Sequence, residues 1–410
     1  MPRFVNVDRA TALLLPADLR DWVPADDVVH LVIDAVEQMD VSGAAVNERG
    51  SGSEQFPPSM ILALLIYCYT QGIYSSRRIE RATHTHIAVR YLTGDTHPDH
   101  DTIATFRRRN VALLKQAFRE VVLLAREVGV LRMGTIFLDG TKLKANASRR
   151  ANVRQAELKA QLAALDAEIA ERLKAADLAD QTDVAEQLPS GLSDVTFRRQ
   201  KLAQAQTALR QRAEQEERPP DDDDVGNTTD PDSRTQKTAH GRIQGYNAQI
   251  ASSENGLIVA AHVCSENQDR RQLVPTIEAV AQTCGELPHT IVADTGYDNH
   301  EQITRVEQTT GATIYIPPQS PIEVHTRQSR TRAARSVERL QRFDRVRTAR
   351  GQELMRQRRT TVEPVFGIIK AARGFDRFLM RGRAQVQAEW HLLCTAFNLR
   401  RLHRLLAVKA

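Results

Sequence analysis

The sequence predicts an α/β domain with an inserted helical hairpin, preceded by an all-α N-terminal domain. Three observations carry this. Apolar residues recur at helical spacing through the first 128 residues. Short apolar strands alternate with helices from residue 135 onward. Between the first strand and the rest, a stretch rich in Ala, Leu, Glu, Gln and Arg keeps its leucines three or four residues apart. The predicted boundaries are 1–128 for the helical domain, 129–149 together with 226–410 for the α/β domain, and 150–225 for the hairpin and an acidic linker. A chain of 410 residues exceeds the usual size of one core, so two or three domains are expected.

Taken in order, Val28, Val29, Val32, Ile33 and Val36 form one helix face, and Val111, Leu114, Phe118, Val121, Val122 and Ala125 another. Between them, Ser75-Ser-Arg-Arg-Ile-Glu-Arg and His97-Pro-Asp-His-Asp-Thr-Ile-Ala-Thr-Phe-Arg-Arg-Arg predict two short basic helices around a turn, each opened by capping residues. A helix-turn-helix reading DNA and a plain helical bundle explain these residues equally well. Thr135-Ile-Phe-Leu then predicts a buried strand ending at Asp139-Gly140. In the helical stretch Leu158, Leu162, Leu165, Ile169 and Leu173 line one face, Leu188-Pro-Ser-Gly-Leu-Ser breaks it, and Leu202 and Leu209 mark a returning helix. The run Pro219-Pro-Asp-Asp-Asp-Asp reads as a solvated linker, with a metal site as the remote alternative. Strands resume at Tyr246-Asn-Ala-Gln-Ile-Ala and Leu257-Ile-Val-Ala-Ala-His-Val. A helix near Arg270 to Thr283, the strand Thr290-Ile-Val-Ala-Asp294, a helix from Asn299, the strand Thr313-Ile-Tyr-Ile-Pro and a helical C-terminus follow.

The net charge is only +5, but twelve arginines against Glu338, Asp344 and Glu353 crowd the stretch from Arg327 to Arg359. That is a field for a polyanion, or else a solvated basic loop. Cys68, Cys264, Cys284 and Cys394 lie far apart without Cys-x-x-Cys spacing, which suggests neither a zinc ribbon nor a disulfide framework and fits a reducing compartment. The most apolar run, Met60 to Tyr69, is about half the roughly 20 residues of a membrane span. With no signal-like start, a cytoplasmic, nucleoid-associated location is expected. No His-Glu-x-x-His and no phosphate loop ending in Gly-Lys-Ser/Thr is present, so neither a zinc hydrolase nor ATP chemistry is implied.

Asp139 and Asp294 each terminate an apolar strand with a glycine following within two residues. A third acid, Glu363, lies in Arg356-Gln-Arg-Arg-Thr-Thr-Val-Glu-Pro-Val-Phe-Gly-Ile-Ile-Lys370. Two divalent ions about 3.5 to 4 Å apart, held by such acids, can activate a nucleophile and stabilise a leaving oxygen in phosphoryl transfer. On a continuous helix Arg359, Glu363 and Lys370 share one face. Pro364 favours the competing arrangement, with Glu363 at a helix start and Arg359 before it. Taken singly, each Asp is as readily a cap or turn former, and the Arg359, Glu363 and Lys370 row an ordinary ion-pair face. Asp269, Asp298 and Glu389 are assigned cap or surface roles.

Asp139-Gly-Thr-Lys-Leu-Lys-Ala-Asn-Ala-Ser, Gly245-Tyr-Asn-Ala-Gln, Ala293-Asp-Thr-Gly-Tyr and Val362-Glu-Pro-Val-Phe-Gly-Ile-Ile-Lys resemble, in chain order, the motifs of DDE transposases from bacterial insertion sequences. The resemblance runs over nearly the whole chain. It implies an RNase H-like catalytic fold like that of retroviral integrases, and a metal-binding triad of Asp139, Asp294 and Glu363 using two Mg²⁺ or Mn²⁺ ions. Arg359 and Lys370 would then contact DNA. Arg356 stands where the family often has Tyr, and a cation there can still meet phosphate. Lys142 and Lys144 are weaker candidates for phosphate contacts. The implied reaction is endonuclease cleavage by water at the transposon end, followed by in-line attack of the freed 3′-hydroxyl on target DNA, with no covalent protein intermediate. Double-stranded DNA and a homodimer or larger assembly on it are the implied partners, with no membrane, and the hairpin would serve as a dimer contact or a DNA clamp. Two rivals remain: an RNase H-like nuclease that only cuts, and a DNA-binding protein that has lost catalysis.

Overall fold

The computed structural model describes residues 18–46, 55–180, 192–239, 241–318 and 337–409. Contacts divide the chain into two units, residues 1–106 and 107–410. In the first, α1 (Val28–Glu37) is opened by Asp27, whose carboxylate accepts from the Val29 amide at 2.8 Å and so satisfies an amide the helix leaves unpaired. α2 (Pro58–Thr70) starts on a proline, which has no amide to orphan, and Ile61 through Thr70 are all buried. The most apolar run of the sequence is therefore a core helix, apolar all round because protein surrounds it. Among the described residues no helix is long and apolar enough to cross a membrane. α3 (Ser76–Thr85), α4 (Ile87–Leu92) and α5 (His100–Arg109) follow. The two basic helices expected around a turn are α3 and α5, but α4 stands between them, with Ala88 and Val89 buried. His100 Nδ1, 2.9 Å from Glu80 Oε2, ties α5 to α3.

In the second unit α6 (Val111–Glu127) leads into β1 (Thr135–Lys144). The sequence groups α6 with the N-terminal helices, since periodicity marks an apolar face without naming its partner. That partner is the C-terminal helix, where the Phe118 ring stacks on His391. After β2 (Asn152–Arg154) come α7 (Gln155–Asp180) and α8 (Leu192–Gln215), then β3 (Val225–Asn227), β4 (Arg234–Thr238), β5 (Gly241–Ser253) and β6 (Ile258–Cys264). α9 (Leu273–Cys284), β7 (Thr290–Val292), α10 (His300–Thr310), β8 (Thr313–Tyr315), α11 (Val337–Arg347), α12 (Ala349–Thr361), α13 (Glu363–Gly367), a π turn at Ile368–Ala372 and α14 (Arg383–Lys409) complete it.

The sheet runs β6, β5, β1, β7, β8, with β4 on the first part of β5. β5 is antiparallel to β1, β4 and β6, while β7 and β8 run parallel to β1. β1 does not stop at Asp139-Gly140 as its apolar run suggests. β5 keeps pairing it as far as Lys144↔Gly245, so Asp139 lies mid-strand. The parallel partner β7 is what ends, at Val292 opposite Phe137. Gly245 makes the β1–β5 approach possible, because a Cβ there would stand 2.2 Å from the Leu143 carbonyl oxygen.

α7 and α8 pack through Leu158, Leu162 and Leu165 against Leu202, Ala205 and Leu209, while Leu173 is exposed. β2 and β3 pair at their base. The break at Leu188-Pro-Ser-Gly lies outside the described residues. The acidic run is anchored instead of loose: Arg218 forks onto Asp224 at 2.7 and 2.8 Å, and Lys159 reaches Asp222 at 2.7 Å.

Candidate active site

Asp139 and Asp294 meet because of strand register. Phe137 and Val292 form the last rung between β1 and β7. Two residues further along these parallel neighbours, which lie about 4.8 Å apart, come the two acids. Asp294 opens the 3-10 turn Thr295–Tyr297 and accepts from the Gly296 amide at 2.9 Å. Asp139 accepts from the Gly140 amide at 2.9 Å. Where β7 has ended, Arg358 of α12 takes up the freed edge of β1, its Nε donating to the Leu138 carbonyl at 3.3 Å.

Arg358 is also the centre of the acid cluster. Its Nη2 lies 3.1 Å from Asp139 Oδ1 and 3.8 Å from Asp294 Oδ2, and its Nη1 donates to Glu363 Oε1 at 3.1 Å. The guanidinium is almost wholly buried, 7% exposed. Three acids 69 and more residues apart in sequence thus converge on one positive charge. Burial pushes the Asp139 carboxyl up to about 6, against the pull of Arg358, with the charges of Asp294 and Glu363 adding to the rise. Burial likewise raises Asp294, again opposed by Arg358.

Among the described residues no three His, Cys, Asp or Glu side chains already stand together as a metal cage, since the guanidinium holds the space among these three. Their chemistry nevertheless fits a hard divalent ion. All the donors are carboxylate oxygens, and three carboxylates against one guanidinium leave two negative charges unbalanced.

The segment bearing Glu363 is not one helix. α12 ends at Thr361, Glu363 opens α13 with Pro364 in its first turn, and Lys370 sits in the π turn. The shared face of Arg359, Glu363 and Lys370 is therefore absent, and the arrangement that Pro364 favours is present. Arg359 is exposed, and its neighbour Arg358, about 100° around the helix, points inward. Arg356 is exposed and pairs with Glu353 at 2.6 Å. Lys370 reaches back to β1, donating to Thr141 Oγ1 and, at 2.9 Å, to the Lys142 carbonyl, and its burial lowers its pKa. Lys144 is half-exposed and paired with Asp376 at 2.6 Å.

A second polar layer was not anticipated. Asp269, assigned a cap or surface role from its sequence, accepts from Asn247 Nδ2 and Gln249 Nε2, each at 2.7 Å, and stands 3.5 Å from Lys142 Nζ. Tyr297, fully buried, donates to Gln249 Oε1. A Cβ on Gly296 would lie 2.9 Å from Asp294 Oδ1 and 3.4 Å from Asp269 Oδ2, so this layer abuts the acid cluster. Its signal was the alternation of Asn247 and Gln249, which puts both on one face of β5. Asp269 itself has no such signal. Glu389, expected at a cap or on the surface, is instead fully buried inside α14, its Oε2 accepting from the Leu379 and Met380 amides of the preceding loop.

Residues 205–399 match the family model described as the transposase DDE domain, and residues 17–109 match a transposase domain (DUF772). Asp294 and Glu363 fall within the first match, and Asp139 precedes it. No curated protein and no solved structure matches the chain. With transposase models covering both units in this order, the chain belongs to the insertion-sequence DDE transposases.

Proposed function

We propose that this transposase cuts DNA at the ends of its element and joins the freed 3′-hydroxyl to target DNA, with Asp139, Asp294 and Glu363 as the metal-binding catalytic residues. The observation that carries the reading is the convergence of these three carboxylates on Arg358. Nothing local in sequence brings them together, and their surplus negative charge calls for cations. Two Mg²⁺ or Mn²⁺ ions, when bound, supply a lowered pKa for the attacking oxygen and charge stabilisation for the leaving one. The chain's own residues do the rest. Asp139 stands on β1 and Asp294 just past the end of β7, and Glu363 approaches from α13 to close the site. Lys370, fixed against β1 by Thr141 and the Lys142 carbonyl, lines the same edge. Arg359 and Arg356, exposed on α12, together with Lys142 and Lys144, contact phosphates.

The strand order β6, β5, β1, β7, β8, with only the second of these antiparallel, supports an RNase H-like catalytic domain formed by 129–149 and 226–410. The helix pair between 150 and 225 is then an insertion, a dimer contact or DNA clamp. The N-terminal helices add DNA binding, and the working form is a homodimer or larger assembly on paired ends.

The test incubates the protein with DNA carrying both element ends and a target plasmid, with Mg²⁺ or Mn²⁺, and follows nicked and joined products. Joined product that is lost in Asp139→Asn, Asp294→Asn and Glu363→Gln while DNA binding persists supports the reading. Cutting without joining indicates a nuclease, and binding without either indicates a protein that has lost catalysis.

A further inference from the structure

We propose that an arginine-lined cleft beneath α8 binds a backbone phosphodiester of the DNA strand that lies over the catalytic carboxylates. This rests on the DNA-cutting reading above and adds a subsite to it. The cleft, about 300 Å³, opens between α8, the residues leading into β4, the end of β6 and the start of α14. Arg212, Arg234, Arg271 and Arg383 line it against two carboxylates, Asp232 and Glu266. Both carboxylates are already engaged. Asp232 accepts from the Arg383 amide at 2.7 Å, and Glu266 from Gln272 Nε2 at 2.6 Å.

The arginines are under-used. Arg212 donates to the Val225 carbonyl at 3.2 Å, and burial, then the charge of Arg234, lowers its pKa to about 10. Arg234 reaches Glu216 at 3.1 Å while its Nε is buried without a hydrogen-bond partner. Among the described residues the side chains of Arg271 and Arg383 form no ion pair. Like charges gathered in a half-dehydrated cleft repel one another, and an anion among them relieves that repulsion and takes up the idle donors.

Position selects which anion. Arg271 ends the short turn Asp269–Arg271, and Asp269 at its other end abuts Asp294 across Gly296. The cleft is thus one turn of backbone from the catalytic carboxylates, so a strand crossing them continues into it under α8. The helix pair then acts on DNA through the cleft wall that α8 supplies.

The test uses the full chain carrying Arg271→Gln and Arg383→Gln. Both side chains are exposed, and thermal melting checks that the fold is retained; Arg271→Gln alone provides a half-strength version. Affinity for a short duplex of arbitrary sequence is measured in metal-free buffer across a KCl series. Each lost phosphate contact lowers the slope of log K against log salt by roughly 0.9, so losing this one phosphodiester contact should reduce the slope by about 0.9 and give a several-fold weaker complex at low salt. An unchanged slope, with the parent binding and cutting DNA normally, overturns the cleft and leaves the reading above standing. If inorganic phosphate raises the melting temperature of the parent but not of the variant while the DNA slope is unchanged, the cleft takes free phosphate and the DNA assignment fails. A parent that neither binds nor cuts DNA overturns both.

Discussion

Replacing Asp139 by Asn should stabilise the metal-free protein above pH 6. In the folded chain burial holds this carboxyl near 6, against 3.8 as its ordinary value. At pH below about 4 the group is protonated in both states and contributes nothing. Between 4 and 6 the unfolded chain gives up the proton first, so the folded state binds more protons and stability falls as pH rises. Above 6 the full cost is present: two pKa units at about 1.4 kcal/mol each, or about 3 kcal/mol. Asn has the same shape and no charge, so Asp139→Asn removes the cost. In a unit of this size about 1 kcal/mol corresponds to roughly 2 °C, so a melting temperature about 6 °C higher is expected at pH 8 in EDTA, with the gain shrinking at pH 5. Added Mn²⁺ should stabilise the parent by mass action and the variant far less. A variant no more stable than the parent at pH 8, or a gain that does not depend on pH, would refute the account of Asp139 as a carboxylate held in place at the expense of stability.

Three further outcomes follow from the same geometry. Arg358→Met removes the cation shared by three carboxylates; it should cost about 3 kcal/mol or more without metal and enlarge the melting shift that Mn²⁺ produces, measured by scanning fluorimetry. Gly245→Ala puts a methyl group 2.2 Å from a backbone oxygen of β1, and urea denaturation should find it destabilised by roughly 1–3 kcal/mol. Tyr246→Phe leaves the buried Asp230 carboxylate without the hydroxyl that donates to it at 2.7 Å; a loss of about 1–3 kcal/mol is expected in the same assay.

Much was legible in the chain itself. Apolar periodicity announced α1, α6 and the α7–α8 core because burial of one helix face repeats every three to four residues. Short apolar runs announced β1, β7 and β8. Asp139 and Asp294 were readable as candidates from strand-like apolar runs with glycines following, whereas Glu363 was picked from its spacing to Arg359 and Lys370 on a helix face that the structure does not form, and from the family resemblance. Pro364 even favoured the correct local geometry at Glu363, since a ring without an amide belongs in a first helical turn.

What the sequence could not supply was anything set by contact between distant segments. It could not tell Arg358 from Arg359, because adjacent arginines differ only in which side of α12 faces the sheet. Nor could it carry β1 past Asp139, because the continuation of that strand depends on β5, about a hundred residues later. Asp269 looked like any turn acid until Asn247 and Gln249 were brought against it. Local pattern determined the elements and the residue chemistry, because propensity and amphipathicity act over a few residues. Only the tertiary structure decided which charges meet, because register and packing fix distances between parts of the chain that have no influence on one another until they fold together.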